Sequence, residues 1–157
     1  MNSHDLKFQL KRLDRLFHIR ETFVDAAEAR VKLAEQEVAR IEETAQENAR
    51  KIQHTMEELA HPGEATGMTV QSAQNYLQLL RSRAAEIQRS LDASKALLEE
   101  RRREWTEAMR EQKVVETMQE RRLQQWMRQD ATAEQKLTDE VFIGRFVREI
   151  RNLKPET

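Results

Sequence analysis

The sequence has no cysteine and very few of the residues that form turns or fill a globular core. Its 157 residues include three glycines, two prolines and only 5% aromatic residues. The absence of cysteine excludes a disulfide framework and a zinc–thiolate site, so we expect a protein of a reducing compartment, the cytoplasm. With so little glycine and proline, turns should be rare and the helices or strands long.

Long apolar runs are also missing, whereas charge is abundant. Charged residues make up 35% of the chain, yet the formal net charge is only −1. The opening MNSHDLKFQLKRL has no apolar signal-peptide region, and no segment approaches the roughly 18 consecutive apolar residues of a membrane-spanning helix. Because acidic residues are interleaved with basic ones, we expect solvated helix surfaces and no nucleic-acid partner.

Motifs for catalysis or cofactor binding are absent from the sequence. It contains no GxxxxGK, GxGxxG, GxSxG or HExxH. One cluster, His54, Glu57, Glu58 and His61, has helical spacings at which these side chains can bind a divalent metal. His61 directly precedes Pro62, however, and no further ligand is evident, so we interpret the histidines as surface residues. We therefore expect no metal, no cofactor, no catalytic residue and no enzymatic activity.

What the chain does have is a heptad seam. In its first sixty residues, mostly apolar side chains recur at alternating spacings of four and three, the pattern of coiled-coil a and d positions. A second seam with the same alternation runs from Val70 to Ala108. The first seam is Leu6, Leu10, Leu13, Phe17, Arg20, Val24, Ala27, Val31, Ala34, Val38, Ile41, Ala45, Asn48, Ile52, Thr55 and Leu59. The second is Val70, Ala73, Leu77, Leu80, Ala84, Ile87, Leu91, Ser94, Leu98, Arg101, Trp105 and Ala108.

A single interruption, HPGEATGM, separates the two seams. Pro62 removes a backbone donor and Gly63 tolerates positive φ, so the first helix should end near Ala60. A short connection between long amphipathic helices favours an antiparallel hairpin. We predict an all-α fold, a long antiparallel two-helix coiled-coil hairpin with a C-terminal helical overhang. The predicted segments of this single rod, residues 1–157, are helix one at about 4–60, the loop at 61–68 and helix two at about 69–152.

Antiparallel alignment from the loop outward also predicts neighbours across the seam. It brings Asn48 close to Leu80, and Arg101 close to Glu28. Polar groups in a seam weaken a coiled coil but fix its register. We expect Arg101 and Glu28 to form an ion pair, because an unpaired charge in the seam would be costly.

After Ala108 the seam should decay, because polar residues take over its positions, although helical composition continues towards Asn152. Near the end of the second helix, three apolar residues recur every four positions, with arginines between them. An apolar face without a partner commonly marks an interaction surface. The alternative is that this tail folds back onto the open end of the hairpin. The predicted partner-binding residues are Phe142, Phe146, Ile150, Arg145, Arg148, Trp126 and Met118.

The opening LKFQLKRLDRLFHIRE resembles the start of the FliJ family of flagellar type III export proteins. The stretch LEERRREWTEAMREQKVVETMQERRLQQWMRQDATAEQKLTDE is similar to that family's later helix. The resemblance covers nearly the whole chain, and it departs from the family in the loop and in the apolar tail after Glu140. The residues that carry it in the second helix are Trp105, Lys113, Glu120, Arg121, Glu134, Gln135, Lys136, Asp139 and Glu140.

This resemblance implies a function that the heptads alone do not show. Members of the family are similar to the coiled-coil central stalk of rotary ATP synthases. The resemblance implies that the chain binds the hexameric export ATPase, the cytoplasmic domain of the export gate and export chaperones. We therefore expect a non-enzymatic, cytoplasmic coupling stalk, which its partners can bring to the cytoplasmic face of the inner membrane.

Two alternatives remain open. Injectisome stalk proteins share this architecture, so the chain could belong to a virulence-type secretion system. It could instead be a self-associating structural coiled coil with no ATPase partner. Sedimentation distinguishes the last possibility, because a hairpin closes its seam within one chain whereas a self-associating coil forms a stable dimer or larger assembly.

Overall fold

Two long helices make up the chain in the computed structural model. Helix α1 spans Ser3–Ala60 and helix α2 spans Gly67–Asn152. No strand occurs among the described residues, which are 2–61, 63 and 67–153, without the side chains of 67 and 68. The all-α hairpin prediction is confirmed. Half of the predicted loop 61–68, namely residues 62 and 64–66, lies outside the residues that the structure describes.

Local sequence accounts for where the helices lie. Neither helix contains an internal proline, and both consist largely of strong helix formers such as Ala, Glu, Leu, Lys, Arg and Gln. Asp5 lies in the first turn of α1, where a carboxylate interacts favourably with the positive end of the helix dipole. The last turn of α1 closes with a hydrogen bond from the His61 backbone N–H to the Glu57 carbonyl, directly before Pro62.

The chain divides into two compact units, each containing parts of both helices. The central unit is Phe23–Met109, and the terminal unit combines Met1–Thr22 with Arg110–Thr157. That the whole chain forms one domain therefore stays a prediction. Of the helical residues described, no stretch is both long and apolar enough to cross a membrane.

The core of the central unit consists of the predicted seam residues. Ile87 and Trp105 are partly buried and pack against a buried cluster, whose side chains interlock along the a and d positions of both helices. Burial of such aliphatic side chains stabilises the unit by about 1.5–3 kcal/mol each. The cluster is Val31, Ala34, Val38 and Ile41 from α1 with Leu91 and Leu98 from α2.

Ion pairs across the helices flank this core and show that α1 and α2 run antiparallel. The Lys95 ammonium lies 3.7 Å from a Glu42 carboxylate oxygen. Further along α2, the Arg102 guanidinium lies 3.4 Å from Glu35, which precedes Glu42 in α1. These groups are about half exposed, so each pair contributes at most ~1 kcal/mol. The pairs support the register, and the buried apolar seam supplies most of the stability.

Asn48 is a polar residue buried in the seam, 5% exposed. Its side-chain amide donates a hydrogen bond of 3.0 Å to the backbone carbonyl of Leu80. The predicted proximity of Asn48 to Leu80 is therefore confirmed. Because this bond joins α1 to α2 at one fixed position, any slip of the helices would leave a buried amide without its acceptor.

The predicted Arg101–Glu28 ion pair is wrong. Arg101 instead donates to both carboxylate oxygens of Glu104, at 3.0 and 3.2 Å, one turn along its own helix. Glu28 likewise pairs within α1, with Lys32 at 3.4 Å. Partners three or four residues apart on a helix are already adjacent, so these pairs form with less loss of side-chain freedom than a pair across the seam.

In the terminal unit the seam continues beyond Ala108 through buried and half-buried positions. Leu6 is completely buried and Val115 is 5% exposed. Arg20, itself a seam residue, forms an ion pair with Glu111. As expected, polar residues occupy several seam positions after Ala108. These polar side chains are nevertheless half-buried, so the packing of the two helices continues. The buried or half-buried positions of α2 after Ala108 that keep the three–four alternation are Gln112, Val115, Gln119, Arg122 and Trp126.

Trp126 is the last of these packed residues. Its indole N–H donates to the Ser3 hydroxyl at 3.2 Å. The Lys7 ammonium lies 5.4 Å from the centre of its ring, within the range of a cation–π contact. Trp126 therefore holds the first turns of α1 against α2.

We predict that Leu91→Ala destabilises the protein by about 2–5 kcal/mol, because it removes a buried side chain from the core of the central unit. Leu79→Ala is the matched control: Leu79 is 64% exposed on the same helix and should change stability by less than ~0.5 kcal/mol. Urea unfolding followed by circular dichroism measures both. Equal effects of the two variants would contradict the assigned seam.

We also predict that Asn48→Asp costs about 1–3 kcal/mol, because a buried carboxylate cannot donate a hydrogen bond to the Leu80 carbonyl. Asn75→Asp is the control, since the exposed Asn75 accepts a hydrogen bond from Gln71 and a carboxylate can still do so. Thermal melting at neutral pH compares the two. An Asn48→Asp variant as stable as the control would show that the amide does not fix the register.

Candidate partner-binding surfaces

The C-terminal part of α2 is exposed along its whole length. From Met127 to Leu153, every described residue is exposed except Gly144, which is half-buried. Phe142, the most exposed of the three predicted apolar residues, has 71% of its surface accessible to solvent. Within the terminal unit, the helix therefore extends from α2 with uncovered side chains and does not fold back as the alternative proposed.

This exposed segment is amphipathic. Successive residues of a helix turn by about 100°, so five apolar residues share one face. Arg145 and Arg151 flank this face on its two sides and Arg148 lies opposite it, and no described residue forms an ion pair with any of the three. An uncovered apolar face with unneutralised cations beside it is suited to an apolar partner with acidic groups at its edge. We call the apolar residues the tail surface: Phe142, Ile143, Phe146, Val147 and Ile150.

Gly144 lies in the middle of this segment. Nothing lies within 4 Å of the position that a Cβ atom would occupy there, so packing does not require a glycine. In a helix interior, glycine is less favourable than alanine by about 0.5–1 kcal/mol. The tail helix therefore has neither tertiary packing nor high helix propensity at its centre, which makes it the part of α2 best able to adapt to a partner.

The remaining predicted partner-binding residues lie elsewhere in the terminal unit. Trp126 is half-buried and packs on the start of α1, so much of its ring is already occupied. Met118 is 47% exposed and lies in a groove between α1 and α2. The structure therefore brings Phe142, Arg145 and their neighbours together on the exposed C-terminal part of α2, whereas Trp126 and Met118 lie earlier in α2, where it packs against α1.

The groove at Met118 was missed in the sequence. It is an open cleft of about 480 Å³, whose apolar floor is Leu13, Leu16, Ile19 and Met118. Three arginines, Arg12, Arg15 and Arg122, lie along its rim. The sequence did contain an indication of this groove, because Leu16 and Ile19 each directly precede a seam position and so widen the apolar stripe of α1. We call this cleft the N-terminal groove.

The histidine cluster is at the surface of α1. The His54 imidazole lies 3.2 Å from the Glu58 carboxylate, one turn away, and both side chains are exposed. Among the described residues, no group of three or more histidine, aspartate or glutamate side chains is arranged to hold a metal ion. This geometry is an ordinary contact between exposed side chains one helical turn apart.

The shifted pKa values are those of exposed ion pairs. A 2.7 Å hydrogen bond to Glu116, and then its negative charge, raises the pKa of Lys113. A hydrogen bond from Arg40 lowers the pKa of Glu37, and the same hydrogen bond raises the pKa of Arg40. Both shifts favour the charged forms, so these side chains stay ionised at neutral pH and serve as surface charges.

Comparison with known proteins identifies the family. A crystal structure with a similar fold is that of type III secretion protein YscO from Vibrio parahaemolyticus. It has a TM-score of 0.67 and 19% sequence identity, and the match covers 89% of this chain and 99% of that one. No curated protein sequence matches the chain. The family described as Flagellar FliJ protein matches residues 9–151. A match over that much of the sequence shows that the chain belongs to the FliJ family.

Proposed function

We propose that this protein is a non-enzymatic stalk of the flagellar type III export apparatus. It binds the hexameric export ATPase, the cytoplasmic domain of the export gate and export chaperones, and it couples the ATPase ring to the gate. Family membership is the observation that carries this proposal. The hairpin supports it, because two helices that close their own seam leave the outer faces of a single chain free to contact partners.

Within this function, the tail surface is the part of the chain that docks on the ATPase. Its phenylalanines are uncovered, and the uncompensated arginines beside them favour an acidic rim on the partner. Shallow contacts of this kind suit a stalk that must fit within a ring of identical subunits. Trp126 supports docking indirectly, because it fixes the start of α1 against α2 immediately before the tail begins.

A second candidate is the equivalent stalk of an injectisome. The likeness in fold to a type III secretion protein favours it. The mechanical role would be the same, and the partner ATPase would differ. Pulldown of the chain with the flagellar and the injectisome ATPase, where both occur in one organism, distinguishes the two systems. The self-associating coil is less favoured, because the predicted seam positions are already buried or half-buried within one chain.

Removal of the tail tests the docking surface. We predict that truncation after Glu140 lowers stimulation of the cognate ATPase about tenfold, because the uncovered apolar docking surface is removed. Helicity of the remaining hairpin should persist, because its seam pairs end at Trp126. ATP hydrolysis and circular dichroism are measured on the same preparations. Undiminished stimulation by the truncated chain would move the ATPase-binding surface to the hairpin.

The contribution of the tail arginines to ATPase binding is tested separately. Replacement of Arg145 and Arg151 by alanine should weaken ATPase binding at low salt and flatten its salt dependence, because ion pairs with the rim are lost. Arg83→Ala together with Arg89→Ala is the control, since these arginines are exposed on α2 in the central unit. Affinity is measured by biolayer interferometry over a range of NaCl concentrations. An unchanged salt dependence in the tail variant would show that its arginines do not face the partner.

A further inference from the structure

The N-terminal groove combines two features that are not used by the fold. Its floor remains open although it is apolar: Ile19 is 52% exposed and Met118 is 47% exposed. Its rim carries positive charge, and no acidic side chain is among the described residues that line it. An apolar floor beneath a rim of one charge is the form of a binding groove.

The rim charges are available to a partner. Arg122 donates to the Gln125 side-chain carbonyl at 3.0 Å, a neutral acceptor that leaves its charge uncompensated. Of the residues that the structure describes, none forms an ion pair with Arg12 or Arg15. Arginine binds carboxylates through two parallel hydrogen bonds, so these side chains favour a partner with Asp or Glu beside its apolar residues.

Groove geometry indicates that the partner is a helix. The groove follows α1 from Gln9 to Ile19, about 15 Å or three helical turns at 1.5 Å per residue. Two packed helices present a concave surface, into which a third helix fits with apolar side chains at i, i+3 or i+4, and i+7. A bilayer surface contacts protruding side chains and does not enter a cleft between two helices.

We propose that the N-terminal groove binds an amphipathic helix of another protein, one whose apolar face is flanked by acidic residues. In the complex, Leu16, Ile19 and Met118 contact the apolar face, and Arg12 and Arg15 pair with its carboxylates. This interaction would be separate from the tail surface, since none of these residues belongs to the tail. The test of this proposal does not involve the ATPase, so its result does not depend on whether the tail surface binds the ATPase.

A designed peptide pair tests the proposal with the full-length protein. One fluorescently labelled peptide of about five turns carries leucine at helical spacing i, i+3, i+4 and i+7 with glutamate at the flanking positions. The other is identical except that lysine replaces every flanking glutamate. Fluorescence anisotropy should show saturable binding of the glutamate peptide, at least about tenfold tighter than the lysine peptide. Equal affinity of the two peptides, or no saturable binding of the glutamate peptide, would overturn the proposal.

Variants of the groove locate the binding. Ile19→Glu and Arg12→Glu should each weaken glutamate-peptide binding at least about tenfold, because they place a carboxylate where the groove offers apolar surface or positive charge. Leu79→Glu and Arg83→Glu are the matched controls: both residues are exposed on α2 in the central unit, and their variants should bind as the wild type does. Circular dichroism confirms equal helicity of all four. Weakening by the control variants to the same extent would refute a site in the groove.

Two other possible occupants of the N-terminal groove would give different results in sedimentation and vesicle-binding experiments. If a second copy of this chain fills the groove, sedimentation of the wild type alone will show a dimer that Ile19→Glu dissociates. If an anionic lipid surface fills it, phosphatidylglycerol vesicles will bind the wild type and not Ile19→Glu. Either result would overturn the proposed protein helix. A monomer whose vesicle binding is the same with and without Ile19→Glu supports it.

Discussion

Neither helix could remain in water with its apolar seam uncovered, and this requirement organises the rest of the structure. The exposed seam of a long helix would leave a stripe of Leu, Ile, Val and Ala side chains in solvent, at about 25 cal/mol for each Å². Packing α1 against α2 removes that stripe from water, in the central unit through the cluster around Val38 and Leu91. The ion pairs beside the seam add a smaller stabilisation to the arrangement that burial of the seam determines.

The composition of the seam differs between the two units, and stability should follow it. The central unit buries aliphatic residues at successive seam positions. The terminal unit includes Arg20, Gln112, Gln119 and Arg122 at such positions, and polar side chains there gain less from burial. Local opening should therefore require less free energy in the terminal unit than in the central one. The open groove and the exposed tail are both in the terminal unit, so the surfaces proposed for partners belong to the more easily deformed part of the chain.

Much of the fold followed from heptad spacing, because spacing alone determines which face of a helix is buried. Every predicted seam position of α1, including Arg20 and Asn48, is buried or half-buried. Beyond Ala108 the same three–four spacing places Gln119 and Arg122 on the packed face, although both are polar. Ion-pair partners were less predictable, as Arg101 shows, since long charged side chains have several carboxylates within reach and the local one formed the contact.

The candidate surfaces were predictable to different degrees. The tail surface was evident from its period of four residues, because no second helix remained to cover it. The N-terminal groove was not, because its floor takes Leu16 and Ile19 from α1 and Met118 from α2, and only the packed structure shows that these residues meet. Whether the tail residues bind the ATPase stays a prediction.

The hydrogen bond between Asn48 and Leu80 limits how relatives of this chain can differ in length. Inserting one residue into α1 near Asn48 would rotate all later seam side chains by about 100° away from α2. An insertion of seven residues restores the face, but it also shifts the alignment of α1 with α2 by two turns unless α2 gains seven residues at the matching place. Insertions and deletions among homologues should therefore occur as paired heptads within the hairpin, and in any number of residues after Trp126, where α2 has no partner helix to match.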